Sequence, residues 1–164
     1  MKKPHLLKIS SNPIEMKENL TAILPDDSIK LIQKEIDENA KELFLLGESH
    51  YKFAKKLSNN NWRQKVSRYY YGVFNVLRAV RLLSLGIYRT DVSDHKSIKL
   101  PSDFPNYIVY AKQCGSLRDD RNLADYDHTG SVGDLILGLN DTLMLSEEIV
   151  EASRTYLNSR GLNL

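Results

Sequence analysis

A chain of 164 residues, 41% hydrophobic and 27% charged, is long enough to bury one core, too short for two ordinary domains, and far from the composition of a disordered polymer. No run approaches the roughly 20 apolar residues of a membrane helix, and the start MKKPHLLKIS lacks the apolar core and cleavage site of a signal peptide, so no membrane contact is expected and the expected location is the cytoplasm. The single cysteine, Cys114, excludes an internal disulfide and a thiol-based zinc site and reads as a small buried apolar residue, while a formal net charge of +2 excludes nothing by itself.

Residues 1–25 carry Pro4, Pro13 and Pro25 without a sustained period, which predicts a loosely tied N-terminal arm with one short helix over Ile14 to Ile23. From residue 26 to 164 the chain reads as one helical domain. After Pro25, Asp26, Asp27 or Ser28 can cap a long helix whose apolar residues, from Ile29 through Ile36, Leu43, Gly47, Tyr51 and Ala54 to Leu57, keep steps of three and four. The run Asn59, Asn60, Asn61 punctuates, and a second helix is predicted from Trp62 to a stop at Gly86. Between Trp62 and Thr90 lie Arg63, Lys65, Arg68, Arg78, Arg81 and Arg89 with no acidic residue. Such a stretch is either an anion-binding surface or a solvated face paired with acids elsewhere, and charge alone does not separate the two. An irregular connection, Ile87 to Pro105, precedes a third helix from about Asn106 to about Asp127, and a fourth is expected from Val132 to Leu157. Four amphipathic helices without a strand signal predict an all-α protein, an antiparallel four-helix bundle with an N-terminal arm.

Two motifs carry chemical information. In SRYYYGVF, Ser67 to Phe74, three successive tyrosines turn by about 100° per residue around a helix, so they cannot all face the core. They either fill a helix interface with hydroxyls at its edge or bind directly, and Tyr70 is a candidate supporting residue. In RDDRNLADYDH, Arg118 to His128, Arg121 and His128 stand seven residues apart, which on an ideal helix is one face within about 20°. Asp125 lies between them and can hold the guanidinium, and Asn122 and Tyr126 form a neighbouring polar pair. A guanidinium that neutralises a phosphate beside an imidazole that moves a proton near neutral pH is a minimal kit for cleaving RNA through its own 2′-hydroxyl, without a metal. Arg121 and His128, with Asn122, are therefore the candidate catalytic residues; Arg68, Arg78 and Arg118 are candidate RNA contacts; Asp125 and Tyr126 are supporting. Seven helical residues span roughly 10 Å, so the pair shares a phosphate only by leaning together or across a two-fold dimer. A charged run can equally be a solvated ion-pair face. With no glycine-rich phosphate loop and no histidine pair at ligand spacing, no cofactor and no metal is expected.

Taken together, SRYYYGVF, Asp94-His95-Lys96 and RNLADYDH resemble the HEPN superfamily, especially its small stand-alone prokaryotic branch. The pattern Ser-Arg-x-Tyr-Tyr-Ala-x-Phe falls on Ser67, Arg68, Tyr70, Tyr71 and Phe74, with Gly72 in place of alanine, and Arg-Asn-x-x-Ala-Asp-Tyr falls on Arg121, Asn122, Ala124, Asp125 and Tyr126. The resemblance covers about residues 30 to 157. It implies a four-helix bundle, commonly a homodimer, and a metal-independent endoribonuclease in which an arginine is followed by a histidine, here Arg121 and His128. It also implies a toxin of a toxin–antitoxin or defence system, with an antitoxin or nucleotidyltransferase as partner. Members that lack the histidine only bind, so the same resemblance admits a non-catalytic RNA-, nucleotide- or partner-binding bundle.

Overall fold

The computed structural model describes residues 5–88 and 98–164. Among these residues the chain forms six α-helices and no strand: α1 (His5–Ile9), α2 (Pro13–Leu20), α3 (Asp26–Lys56), α4 (Trp62–Leu85), α5 (Tyr107–Tyr126) and α6 (Gly138–Ser159). The class is all-α. Two helices lie in the arm: α2 answers the short helix expected there, and α1 has no counterpart in the apolar pattern. Arg89 and the Asp94-His95-Lys96 segment lie outside the described residues.

The α3 helix buries Ile32, Ile36, Ala40, Leu43, Phe44, Gly47, Tyr51 and Ala54, the stripe expected from steps of three and four. Its first residue is Asp26, and Pro25 occupies the cap position without a side-chain bond. The expected Asp or Ser cap is therefore not used. Asp26 and Asp27 instead meet the positive end of the helix dipole, and Lys55 and Lys56 the negative end. A 3-10 turn at Asn59–Asn61, started by the Ser58 hydroxyl accepting from the Asn60 N–H, reverses the chain into α4. Lys65 Nζ ties this corner by donating to the Leu57 carbonyl at 3.0 Å and to Asn59 Oδ1 at 2.8 Å. Gly86, at φ 65, closes α4 in the left-handed conformation, with its N–H on the Leu82 carbonyl and that of Ile87 on the Arg81 carbonyl.

The helix α4 occupies the centre, packed against α3, α5 and α6. It runs antiparallel to α3, Gly72 standing opposite Gly47, and antiparallel to α5, Tyr71 meeting Arg121 while Ser67 meets Asp125. A Cβ on Gly47 would lie 2.6 Å from the Gly72 carbonyl oxygen and 2.7 Å from Val76 Cγ1, so the two backbones touch with no room for a side chain. The α6 helix is fastened to α3 by Glu48 with Arg154 and by Lys55 with Glu147 at 3.1 Å.

The fourth predicted helix begins later than expected. Ser131 and Asp134 form a capping box around a 3-10 turn, Val132–Asp134, so the apolar Val132 and Leu135 that suggested helix precede α6. Asp120 of α5, 1% exposed, accepts the N–H groups of Ile136 and Leu137 at 2.6 and 3.0 Å and so fixes the entry to α6. The arm is docked rather than loose: Leu7 is fully buried in the core, and Lys17 donates to Gln33 of α3 at 2.6 Å.

Candidate functional site

The three tyrosines of α4 separate as their helical angles require. Tyr69 is fully buried beside Tyr51, and Tyr70 is buried, stacked on Phe74 at 5.8 Å; Tyr71 is half-buried, with its hydroxyl at the α5 boundary. Burial pushes the Tyr70 phenol up to about 12, so this residue stays protonated. The Tyr71 hydroxyl accepts a hydrogen bond from Arg121 Nη2. Arg121 Nη1 donates to Asn122 Oδ1 at 2.9 Å, and Nε forms an ion pair with Asp125 Oδ2 at 2.9 Å. The guanidinium also lies over the rings of Tyr70, Tyr71 and Tyr126, 5.3 to 5.4 Å from each centroid. Arg121, Asn122, Asp125, Tyr126 and Tyr70 thus do converge, and the Arg121 side chain is only 16% exposed.

Beside this cluster an open groove of about 460 Å³ runs between α4 and α5, lined among others by Phe53, Arg63, Ser67, Arg68, Tyr71 and Asp125. The two arginines that line it have different duties. Arg63 donates to the carbonyls of Leu123, Ala124, Asp127 and Gly130 at 2.5 to 3.3 Å, a cation placed on the C-terminal end of α5 where the orphan carbonyls and the dipole both favour it. Arg68 is exposed and, among the described residues, has no carboxylate partner; Nη1 lies 3.2 Å from His50 Nδ1, and the guanidinium lies over the Phe53 ring at 5.7 Å. Burial first, and the Arg68 charge second, hold the pKa of His50 below the ordinary histidine value.

His128 does not share a helical face with Arg121. The α5 helix ends at Tyr126, and the Asp127 carboxylate accepts the N–H groups of Thr129 and Gly130 at 2.9 and 3.1 Å and the Thr129 hydroxyl at 2.7 Å. The Thr129 hydroxyl leads the contacts that lower the Asp127 pKa. His128 therefore rides on an Asx turn with its ring exposed, its backbone held by Asp127 from inside the turn and by Arg63 from α4. The expectation of one shared face is corrected by this turn, which a helical-wheel argument does not contain.

The remaining candidates lie apart. Arg78, ten residues beyond Arg68 and so roughly 15 Å along α4, sits half-buried over Phe74 with Asn75 Oδ1 at 3.3 Å. Arg118 pairs with its neighbour Asp119, Nη2 to Oδ1 at 2.7 Å. Cys114 is only partly buried but packs on the core, and desolvation pushes its thiol up to about 12, which leaves it inert. Sequence reasoning missed Arg63 as a helix clamp, His50 as the partner of the groove-lining Arg68 and Asp120 as an anchor. Among the described residues no group of three or more His, Cys, Asp or Glu is placed to hold a metal ion, and no helix is long and apolar enough to cross a membrane. Comparison of the chain with family models, with curated proteins and with solved structures finds no match.

Proposed function

We propose that this chain is a HEPN-type bundle, an antiparallel arrangement of α3 to α6, that acts on RNA as a metal-independent endoribonuclease with the α4/α5 groove as its substrate surface. The observation that carries the reading is the site of Arg121: a guanidinium clamped by Tyr71, Asn122 and Asp125 among three aromatic rings, at the edge of a groove whose neighbouring Arg68 has, among the described residues, no carboxylate to neutralise it. Preorganised cations of this kind stabilise the charge that develops on a phosphate without reorganising during reaction.

In this reading the 2′-oxygen attacks phosphorus, the bond to the 5′-oxygen breaks, one proton leaves the 2′-hydroxyl and one reaches the departing oxygen. A cyclic phosphate and a 5′-hydroxyl result. His128 supplies the proton transfer and Arg121 the charge stabilisation. The exposed turn that carries His128 suits a site completed across a two-fold axis by a second copy of the chain. A toxin paired with an antitoxin or a nucleotidyltransferase is the biological setting this chemistry suits. A second reading, a non-catalytic RNA-binding bundle, is favoured by one observation, the end of α5 at Tyr126, which leaves His128 on an Asx turn beyond the helix that carries Arg121.

Purified protein incubated with structured RNA in chelator, with analysis of the product ends, tests the first reading. His128→Ala is expected to remove cleavage and retain much of the affinity, and Arg121→Ala to reduce both. Undiminished cleavage by His128→Ala, in a preparation free of contaminating nuclease, replaces the catalytic reading with the binding one.

A further inference from the structure

Two guanidiniums, those of Arg63 and Arg68, line the α4/α5 groove, and a third, that of Arg121, lies beside it, held by the lining residues Tyr71 and Asp125. Arg63 is committed to four carbonyls at the end of α5, and Arg121 to Asp125. Arg68 alone of the three is met by an imidazole, with Nη1 3.2 Å from His50 Nδ1. A guanidinium offers only N–H donors, so Nδ1 is the acceptor and the ring is neutral with its proton on Nε2. His50 also packs its ring against Tyr71 at 6.1 Å, and the Tyr71 hydroxyl is the one that Arg121 holds. A neutral histidine of α3 therefore stands beside the groove, in direct contact with Arg68, a lining cation that has no carboxylate partner among the described residues.

We propose that His50 and Arg68 together form a phosphate-binding arm of the groove, and that His50 takes up a proton when an RNA phosphate binds there. The inference rests on the RNA reading given under Proposed function. Without an anion, protonating His50 removes the acceptor of Arg68 and sets two cations side by side. A phosphate between them reverses the sign: one non-bridging oxygen accepts from the guanidinium, another from the imidazolium, and the two positive charges no longer oppose each other. Protonation and phosphate binding then favour one another reciprocally.

The groups around His50 agree with this. From α4 come Arg68 and the Tyr71 phenol; from α5, behind Tyr71, come Arg121 and its partner Asp125, already paired with each other. From α6, Arg154 is occupied by Glu48 of α3, and Lys52 of α3 pairs with the same carboxylate at 2.9 Å. The chain neighbours of His50 on α3 that remain, Ser49 and Tyr51, carry no charge at neutral pH. Arg68 is the charge in contact.

The test is a fluorescence-anisotropy titration of a labelled single-stranded RNA oligonucleotide with the full chain, from about pH 8 to about pH 5.5, spanning ordinary histidine titration. For the parent, affinity should rise as pH falls, by up to about tenfold per pH unit for one linked proton. His50→Gln keeps a carbonyl that Arg68 can reach but cannot titrate, so its profile should flatten and its affinity should fall at least about tenfold behind the parent at the acid end. In parallel, the His50 ring is titrated by NMR in the free protein, where Arg68→Ala should raise its pKa. A His50→Gln profile as steep as the parent's overturns the proposal and leaves the RNA reading standing. A His50 pKa unmoved by Arg68→Ala overturns the pairing irrespective of RNA. Failure of the parent to bind RNA at any pH overturns the RNA reading, and the proposal with it.

Discussion

Arg63 shows how one side chain can hold the end of a distant helix. Its guanidinium takes four carbonyls, of which Asp127 and Gly130 bracket His128, and its face rests on Trp62 at 4.6 Å. Removing it leaves those carbonyls to water and deletes a cation from the negative end of the α5 dipole, worth up to about 2 kcal/mol in a partly buried setting. Arg63→Ala should therefore lower stability by about 1–2 kcal/mol and speed amide hydrogen exchange at Tyr126 to Gly130, while exchange at Ile32 to Ala40 in α3 stays slow. Unchanged exchange in the 126–130 segment would show that the Asp127 turn holds itself. This role was hidden because Arg63 precedes its partners by some 60 residues, and no local pattern marks a cation as a helix clamp. The run Asp127-His128-Thr129-Gly130, by contrast, is a legible turn signature, an Asx residue followed by a hydroxyl and a glycine. The seven-residue spacing of Arg121 and His128 hid it. Asp125 and Asn122, four and one residues from Arg121, were readable because helix geometry alone brings them to it.

At the scale of the helix, the glycines divide into those that packing requires and those it does not. Gly47 has no room for a Cβ against the α4 backbone, while Gly115 on α5 has nothing within 4 Å of where a Cβ would stand. Gly47→Ala should force α3 and α4 apart and lower stability by about 1–3 kcal/mol. Gly115→Ala should raise stability by about 0.5–1 kcal/mol, because alanine orders a helical backbone at lower entropic cost. Thermal unfolding of the two variants checks the contrast, and equal effects would contradict the close approach. Gly72 makes the matching contact from α4, with 3.2 Å between its would-be Cβ and both the Gly47 carbonyl oxygen and the Tyr51 nitrogen. The helices α3 and α4 were legible in the sequence to within a residue at most ends, since long apolar stripes and the breaks at Asn59–Asn61 and Gly86 agree with one another. The α1 helix was not, being too short to establish a period, and the start of α6 was not, because Val132 and Leu135 imitate the stripe that follows them.

For the molecule as a whole, the proposed site is most easily completed by a second copy, so light scattering at tens of micromolar should return a dimer mass. A strict monomer would count against a composite site and shift weight to the binding reading. The central position of α4 has a consequence for assembly within one chain as well. The contact of α3 with α4 is closed by a short corner, and Gly47 meets Gly72 across only 25 residues of chain, so little loop entropy is lost in forming it. The ties of α6 to α3 span 92 to 106 residues and lose more. The α3/α4 hairpin is thus the favoured nucleus, and α6, the last of the six described helices, returns to a surface that its predecessors have already built.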